Sequence, residues 1–182
     1  LFDADGVPLR LAAYVMGEAP VRLPLAETGF EVLIAGEVRL DALQAEVRDG
    51  RRVAEPRLKL LTSSRAGESH ESDWSLQVTL GPSLPEKGDA LWHPFVTRIA
   101  MTPGDHRARL VVQSGERLGS VTVDFVVPPN GKERLSTPIL SDRLVANASG
   151  RRLLPLARRA FDATSVLHSW IELEGAALDA GA

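Results

Sequence analysis

The sequence predicts an all-β fold, an antiparallel β-sandwich, from three observations. Apolar and polar residues alternate with a period of two over several stretches, as in strands with one face in water. Turn-forming residues separate these stretches about every ten positions, the spacing of short sandwich strands. Hydrophobic residues make up 44% and charged residues 25% of the 182 positions, so the chain has enough apolar material for a core.

The alternation is clearest in four stretches: GFEVLIAGEVRL (29–40), DWSLQVTLG (73–81), FVTRIAM (95–101) and the hairpin MTPGDHRARLVVQSGERLGSVTVDFVVPP (101–129). In the first stretch, Glu31 and Glu37 are predicted on the polar face. In the hairpin, Arg107 and Arg109 are predicted on the polar face, paired across the strands with Asp124 or Glu116. Such pairs each add about 0.2–1 kcal/mol.

Turn chemistry fills the gaps between these runs. Asp49-Gly50 predicts a two-residue hairpin turn, because both positions favour positive φ. The preceding LDALQAEVR (40–48) fits a short helix starting after Asp41 or a strand entering that hairpin, and the following Asp-Gly favours the strand. SSRAGESHESD (63–73) and GPSLPEKGDA (81–90) are predicted to be surface loops.

After the double proline at 128–129, the apolar–polar alternation weakens and turn-forming residues become frequent. We predict one sandwich over residues 1–128, a linker over 129–150, and the opening strands of a second, incomplete β domain over 151–182. The chain begins at Leu1 without a signal-peptide pattern. We therefore expect it to be part of a longer protein.

The segment MTPGDHRARLVV (101–112) resembles the strand-corner-strand pattern of immunoglobulin-like and fibronectin type III sandwiches. His106 occupies the place of the corner tyrosine. GVPLRLAAYVMG (6–17), FEVLIAGEV (30–38), TPGDHRARLVV (102–112), RLGSVTVDFVVPP (117–129), LSTPILSDRLV (135–145) and RRLLPLARRAF (151–161) together resemble the C-terminal sandwich region of bacterial von Willebrand factor A-related proteins. This resemblance implies an exported protein, periplasmic or secreted. The Asp-x-Ser-x-Ser metal motif of that family's A domain is lacking here.

Composition excludes several function classes. The net charge of −3 provides no basic face for nucleic acid. No apolar run reaches the ~18–20 residues of a membrane helix. Without cysteine, the chain has no disulfide, zinc-thiolate site or iron–sulfur cluster.

Residues that often carry chemistry are scattered. The four histidines, His70, His93, His106 and His168, lack the i,i+2 or i,i+4 spacing of a metal clamp. DADG (3–6) begins like a calcium loop, but Val7 and Leu9 occupy ligand positions, which favours a simple turn. The acids considered as a glycosidase pair are Glu68, Glu71, Asp73, Glu172 and Glu174, and no cleft signal accompanies them. We predict no catalytic, metal or cofactor-binding residue and no cofactor.

An exposed tryptophan can stack on a sugar ring, and the sequence has three tryptophans. Trp74 begins an alternating apolar run and is predicted in the core, and Trp170 lies in a late strand. Trp92, between Leu91 and His93, is the one plausible exposed platform, although large aromatic side chains mostly fill cores.

These observations favour a non-catalytic structural or protein-interaction module of a larger exported bacterial protein. Its partner would be another protein or neighbouring domains of the same chain, reached through a sheet edge or through the loops at 63–73, 81–90 and 113–118. The alternatives are a carbohydrate-binding sandwich using Trp92 and, after it, an enzyme accessory domain.

Overall fold

The computed structural model describes residues 6–18, 29–81, 91–129, 133–147, 150–161, 163 and 165–175. The first ten strands are β1 (Leu9–Glu18), β2 (Phe30–Arg39), β3 (Ala45–Arg48), β4 (Arg51–Ala54), β5 (Arg57–Ser64), β6 (Ser69–Ser75), β7 (Val78–Leu80), β8 (Trp92–Met101), β9 (Gly104–Ser114) and β10 (Arg117–Val127). The later strands are β11 (Glu133–Leu135), β12 (Ile139–Ser141), β13 (Leu144–Asn147), β14 (Gly150–Leu153), β15 (His168–Trp170) and β16 (Leu173–Gly175). The predicted all-β class is confirmed.

The larger sheets have the strand orders β1-β2-β8, β10-β9-β5-β6 and β3-β4-β7, and three two-stranded sheets join β11 to β16, β12 to β15 and β13 to β14. The immunoglobulin-like assignment within the all-β class stays a prediction. In the part of the chain that the structure describes, no helix has the length and apolar character needed to cross a bilayer.

The chain divides into two compact units, each assembled from several stretches. Unit 1 comprises residues 1–11, 36–94 and 106–124, and unit 2 comprises residues 12–35, 95–105 and 125–182. Each unit contains residues from both sides of position 128 or from within 1–128 alone, and the predicted domains 1–128 and 151–182 stay predictions. The stretch 129–150, expected to be a linker, contains strands β11, β12 and β13.

The β3–β4 hairpin of unit 1 follows from its turn. Asp49 and Gly50 have φ values of 50° and 74°, both positive, as a type I′ turn requires. Residues 40–42 form one 3-10 turn, and the strand begins at Ala45. The interpretation of LDALQAEVR as a strand entering a hairpin is therefore confirmed for its second half.

The four-stranded sheet of unit 1 has one buried face and one solvent-exposed face. Leu58 and Leu60 of β5 lie directly opposite Val112 and Leu110 of β9, and all four are almost fully buried. Arg107 and Arg109 of β9, which alternate with the buried Ala108 and Leu110, are exposed. The predicted faces of the 101–129 hairpin are confirmed, because its period-two pattern matches the pleat.

The predicted surface loop at 63–73 is wrong. β5 continues to Ser64, only residues 65–68 form the turn, and β6 begins at Ser69. The pattern missed this strand because β6 is polar on both faces until Trp74, so it shows no alternation. The loop at 113–118 is likewise reduced to a tight turn at Gly115 and Glu116. Except for Gly81, the loop at 81–90 lies outside the described residues, as do Asp3 and Asp5 of the DADG turn.

Unit 2 contains an apolar cluster whose members are Ala12, Tyr14, Met16, Leu33, Ala35, Ile139 and Ala157, with Val96 and Leu153 packed against it. The Tyr14 hydroxyl donates a hydrogen bond to the Leu156 carbonyl at 2.6 Å. Arg158, with a 4% exposed side chain, forms an ion pair with Asp142. These contacts join the polar ends of buried side chains to distant parts of the sequence, as buried polar groups require.

The outer edge of β1 in unit 2 is bonded by residues that lie between the C-terminal strands, Thr137 after β11 and Glu172 before β16. Thr137 N–H donates to the Val15 carbonyl at 2.8 Å, and Val15 N–H donates to Thr137 Oγ1 at 3.2 Å. Two residues further along, Gly17 N–H donates to the Glu172 carboxylate at 3.2 Å. Alternate backbone groups of this edge therefore have partners, although no strand of the described residues pairs with β1 on this side.

The edge strand β10 in unit 1 approaches another backbone at Gly119. A Cβ at this position would lie 2.0 Å from the Val7 carbonyl oxygen, far inside van der Waals contact. The obstacle is backbone, so a side-chain rotation cannot relieve it.

We therefore expect Gly119→Ala to lower the free energy of unfolding by about 1–3 kcal/mol, the usual cost of overpacking. Urea denaturation followed by circular dichroism measures the change. Ser120→Ala, the next residue on the same strand, is the control and should shift stability by less than about 0.5 kcal/mol. Equal midpoints for Gly119→Ala and the wild type would contradict the close approach.

Candidate functional site

The outer face of the four-stranded sheet in unit 1 carries two of the five acids considered as catalytic, Glu71 and Asp73. Its side chains come from alternate positions of β5, β6, β9 and β10. The two inner strands present cations and the two edge strands present carboxylates. Lys59 Nζ on β5 lies 2.5 Å from Glu71 and 3.7 Å from Asp73 on β6. The two carboxylates therefore share an ammonium group, so they do not form an isolated pair of acids.

The predicted cross-strand pair of the hairpin is confirmed. Arg107 Nε donates to Asp124 Oδ1 at 2.6 Å, and Arg107 Nη2 donates to Asp124 Oδ2 at 3.1 Å. Arg109 instead donates to the Ser120 hydroxyl at 3.4 Å. The bidentate geometry is specific to guanidinium and carboxylate.

The electrostatics of this face oppose acid catalysis. The hydrogen bond from Lys59, and then its charge, lower the pKa of the Glu71 carboxyl. The hydrogen bond from Arg107 likewise lowers the pKa of Asp124. A general acid at neutral pH needs a raised pKa, which comes from burial or from a neighbouring carboxylate. Both groups are therefore permanently ionised under physiological conditions.

The histidines and the other acids that the structure describes differ in burial and in bonding partners. His70 is exposed and bonded to the Ser72 hydroxyl at 3.0 Å, His106 is buried, and His93 and His168 are half-buried. Among the described residues, no three histidine or acidic side chains are grouped in a way that fits a metal ion. Glu172 accepts the Gly17 N–H in unit 2, whereas Glu68 lies in the turn before β6.

Sequence reasoning missed a buried acid, Glu37 of β2. It was predicted on the polar face, yet only 1% of it is exposed. Consecutive residues from Val32 to Val38 of β2 are buried, so both faces of this part of the strand are covered. The available signal was the acid's position inside the apolar run FEVLIAGEV, where a charge needs a partner.

That partner is Arg10 of β1. Arg10 Nη1 lies 3.4 Å from Glu37 Oε2, and its guanidinium carbon lies 3.9 Å from the centroid of the Trp92 ring on β8. One side chain thus compensates a buried charge and stacks on an aromatic ring, a favourable cation–π geometry. Trp92 is half-buried and one face of its indole is occupied, while Trp74 is half-buried and Trp170 is exposed.

Comparison of the chain with protein-family models, curated proteins and solved structures finds no match.

Burial should decide which ion pair matters for stability. Arg10→Ala removes the counter-charge of a buried carboxylate, so we expect a loss of about 2 kcal/mol or more. Arg39→Ala is the matched control. Its pair with Asp41 is shorter, 2.6 Å, but both side chains are over a third exposed, so it should cost less than about 1 kcal/mol.

Urea titration measures both variants, and tryptophan emission reports on the uncovered Trp92 ring. Equal losses for the two variants, or a larger loss for Arg39→Ala, would refute the ranking.

Arg107→Gln should raise the pKa of Asp124 towards its ordinary value, because the bidentate donor is lost. In the wild type the folded pKa is depressed. The pair's contribution is therefore present above the unfolded pKa and lost as pH falls through the folded one. NMR titration of the Asp124 carboxyl measures this, with Arg109→Gln as the control that leaves Asp124 unchanged. An unaltered Asp124 pKa in Arg107→Gln would contradict the assigned cause.

Proposed function

We propose that this chain is a non-catalytic protein-interaction module of a larger exported bacterial protein. The observation that carries the proposal is where its exposed apolar side chains lie. Of the described residues, most exposed large apolar ones fall between positions 135 and 173: Leu135, Leu140, Leu144, Val145, Val166, Leu167, Trp170, Ile171 and Leu173. These residues are close in sequence, and contiguous exposed apolar surface, not scattered single residues, marks interaction sites.

The β11–β16 pair gives this concentration a defined geometry within unit 2. Leu135 lies directly opposite Leu173, and the two are 63% and 58% exposed. Directly opposed residues project to the same side of a ladder, so the pair forms one apolar spot. Ser136 and Glu172 continue the ladder, with Ser136 N–H donating to the Glu172 carbonyl at 2.9 Å. A regular backbone thus presents the two leucines in fixed positions.

The charged groups of unit 1 support the non-catalytic part of the proposal. On its solvent-exposed sheet face, the hydrogen bond from Lys59 lowers the pKa of the Glu71 carboxyl, and the hydrogen bond from Arg107 lowers the pKa of the Asp124 carboxyl. Glu37, the buried acid, is 1% exposed and therefore out of reach of a substrate. The exported and bacterial parts rest on the resemblance of short segments such as TPGDHRARLVV to von Willebrand factor A-related proteins.

The carbohydrate-binding alternative has less support. A stacking platform needs an open aromatic face, and Arg10 lies against one face of Trp92. Half-burial of the indole further reduces the area that a sugar ring can cover.

The full chain, immobilised, is exposed to an envelope extract of the source organism, and any retained protein is purified and titrated by calorimetry. The double variant Leu135→Ser with Leu173→Ser should weaken binding at least tenfold. Each leucine buried in an interface contributes about 1.5–3 kcal/mol, and about 1.4 kcal/mol corresponds to a factor of ten.

The matched control is Val47→Ser with Leu118→Ser, two residues of unit 1 that are 73% and 58% exposed. It removes as many exposed apolar side chains and should change the dissociation constant less than twofold. A folded bait that retains nothing, or equal effects of the two double variants, would overturn the proposal.

A further inference from the structure

The β6 strand ends the four-stranded sheet of unit 1 and has a regular outer edge. All seven of its residues pair in unbroken register with β5, from Ser69 opposite Ser63 to Ser75 opposite Arg57. It contains no proline and no bulge, the usual devices that make an edge unsuitable for pairing. Among the described residues, β6 has a neighbouring strand on one side only.

The hydrogen-bond register identifies the outward-facing backbone groups. Ser64 N–H donates to the Glu68 carbonyl at 2.8 Å, and Leu76 N–H donates to the Pro56 carbonyl at 3.1 Å. Hydrogen-bonded pairs alternate along an antiparallel ladder, so positions 70, 72 and 74 also face β5. The backbone N–H and C=O groups of Ser69, Glu71, Asp73 and Ser75 therefore face away from the sheet.

This edge differs from that of β1. The outward groups of Val15 and Gly17 in unit 2 are bonded to Thr137 and Glu172. In the described part of the chain, no such bond reaches the outward backbone groups of β6. An edge of this length with exposed donors and acceptors is a template for strand addition.

Charge on the edge selects the added strand. Glu71 and Asp73 share one cation, Lys59, so the three groups carry a net negative charge. Antiparallel pairing of β6 with a second copy would bring these acids together, and directly opposed like charges are destabilising. A strand with basic residues opposite Glu71 and Asp73 would instead gain two cross-strand ion pairs.

The other face of the added strand also has a requirement. His70, Ser72 and the half-buried Trp74 lie on the side of the buried residues Leu58 and Leu60. An apolar residue opposite Trp74 would cover its exposed part, since aromatic and β-branched cross-strand pairs are favourable.

We infer that the outer edge of β6 binds an extended segment of another protein, in which basic and apolar residues alternate. This inference rests on the proposed interaction function and assigns it a second surface, separate in sequence from residues 135–173. The partner's backbone bonds to Ser69, Glu71, Asp73 and Ser75, and its lysine or arginine side chains lie opposite the two acids.

The test uses the full chain and the peptide acetyl-Thr-Val-Lys-Val-Lys-Thr-Thr-amide, designed to run antiparallel to β6. Its control is the same peptide with glutamate in place of both lysines. Isothermal titration should show binding of the lysine peptide at least tenfold tighter than that of the glutamate peptide. Amide exchange should slow on binding at Ser69, Glu71, Asp73 and Ser75, whereas His70, Ser72 and Trp74 are already protected by β5.

Two variants separate the backbone contribution from the charge contribution. Ser75→Pro removes an outward N–H without touching the bonds to β5, and should weaken the lysine peptide at least tenfold, whereas its control Ser75→Ala should not. Glu71→Gln with Asp73→Asn should weaken it about fivefold or more and flatten its salt dependence.

No binding of the lysine peptide at millimolar concentration, equal binding of both peptides, or protection at amides outside β6 would overturn the inference. Dimerisation of the chain that Ser75→Pro abolishes would also overturn it, because the occupant would then be a second copy. The envelope-extract experiment with Leu135→Ser and Leu173→Ser is independent of β6. Failure here therefore leaves the proposed function to its own test.

Discussion

Backbone hydrogen bonding at sheet edges is the constraint on which this all-β chain depends. A helix satisfies its own peptide groups, but an edge strand leaves every second N–H and C=O without a partner on one side. Unit 2 provides partners for those of Val15 and Gly17 on β1 from Thr137 and Glu172, which are more than 120 residues away in sequence. These two residues lie in the connections between the C-terminal strands, so that part of the chain helps to complete a sheet that begins near the start of the chain.

Long-range contacts also account for two unusual residues in unit 1. Gly119 allows the edge strand β10 to approach the Val7 carbonyl, which a Cβ would prevent. Glu37 lies in the part of β2 where consecutive residues are buried, and Arg10 compensates its carboxylate. In both cases the constraint is a contact with a residue elsewhere in the chain. Neither requirement is local, since Val7 and Arg10 are distant from the residues that they constrain.

Local sequence predicted what local physics determines. The 101–129 hairpin and the Asp49-Gly50 turn followed from period-two alternation and from positive φ. β6 was missed because it is polar on both faces until Trp74, and burial of Glu37 was missed because its counter-ion is 27 positions away. On the solvent-exposed face of the four-stranded sheet, the pair of Arg107 with Asp124 was predictable because the two residues belong to adjacent strands of one hairpin. The contacts of Lys59 with Glu71 and Asp73 were not predictable, because the polar sequence of residues 63–73 indicates a loop.

The polar composition that hid β6 also bears on its role. An apolar edge would pair with any available strand, including a second copy of the chain, and would promote aggregation. An edge made of serine, histidine and two acids gains little from burial, so its affinity must come from backbone bonds and matched charge. Lys59 supplies one positive charge against two carboxylates, which weakens the repulsion of other strands without cancelling the preference for a basic one. Selectivity at such an edge is therefore electrostatic, and ionic strength should govern it more strongly than it governs the apolar pair Leu135 and Leu173.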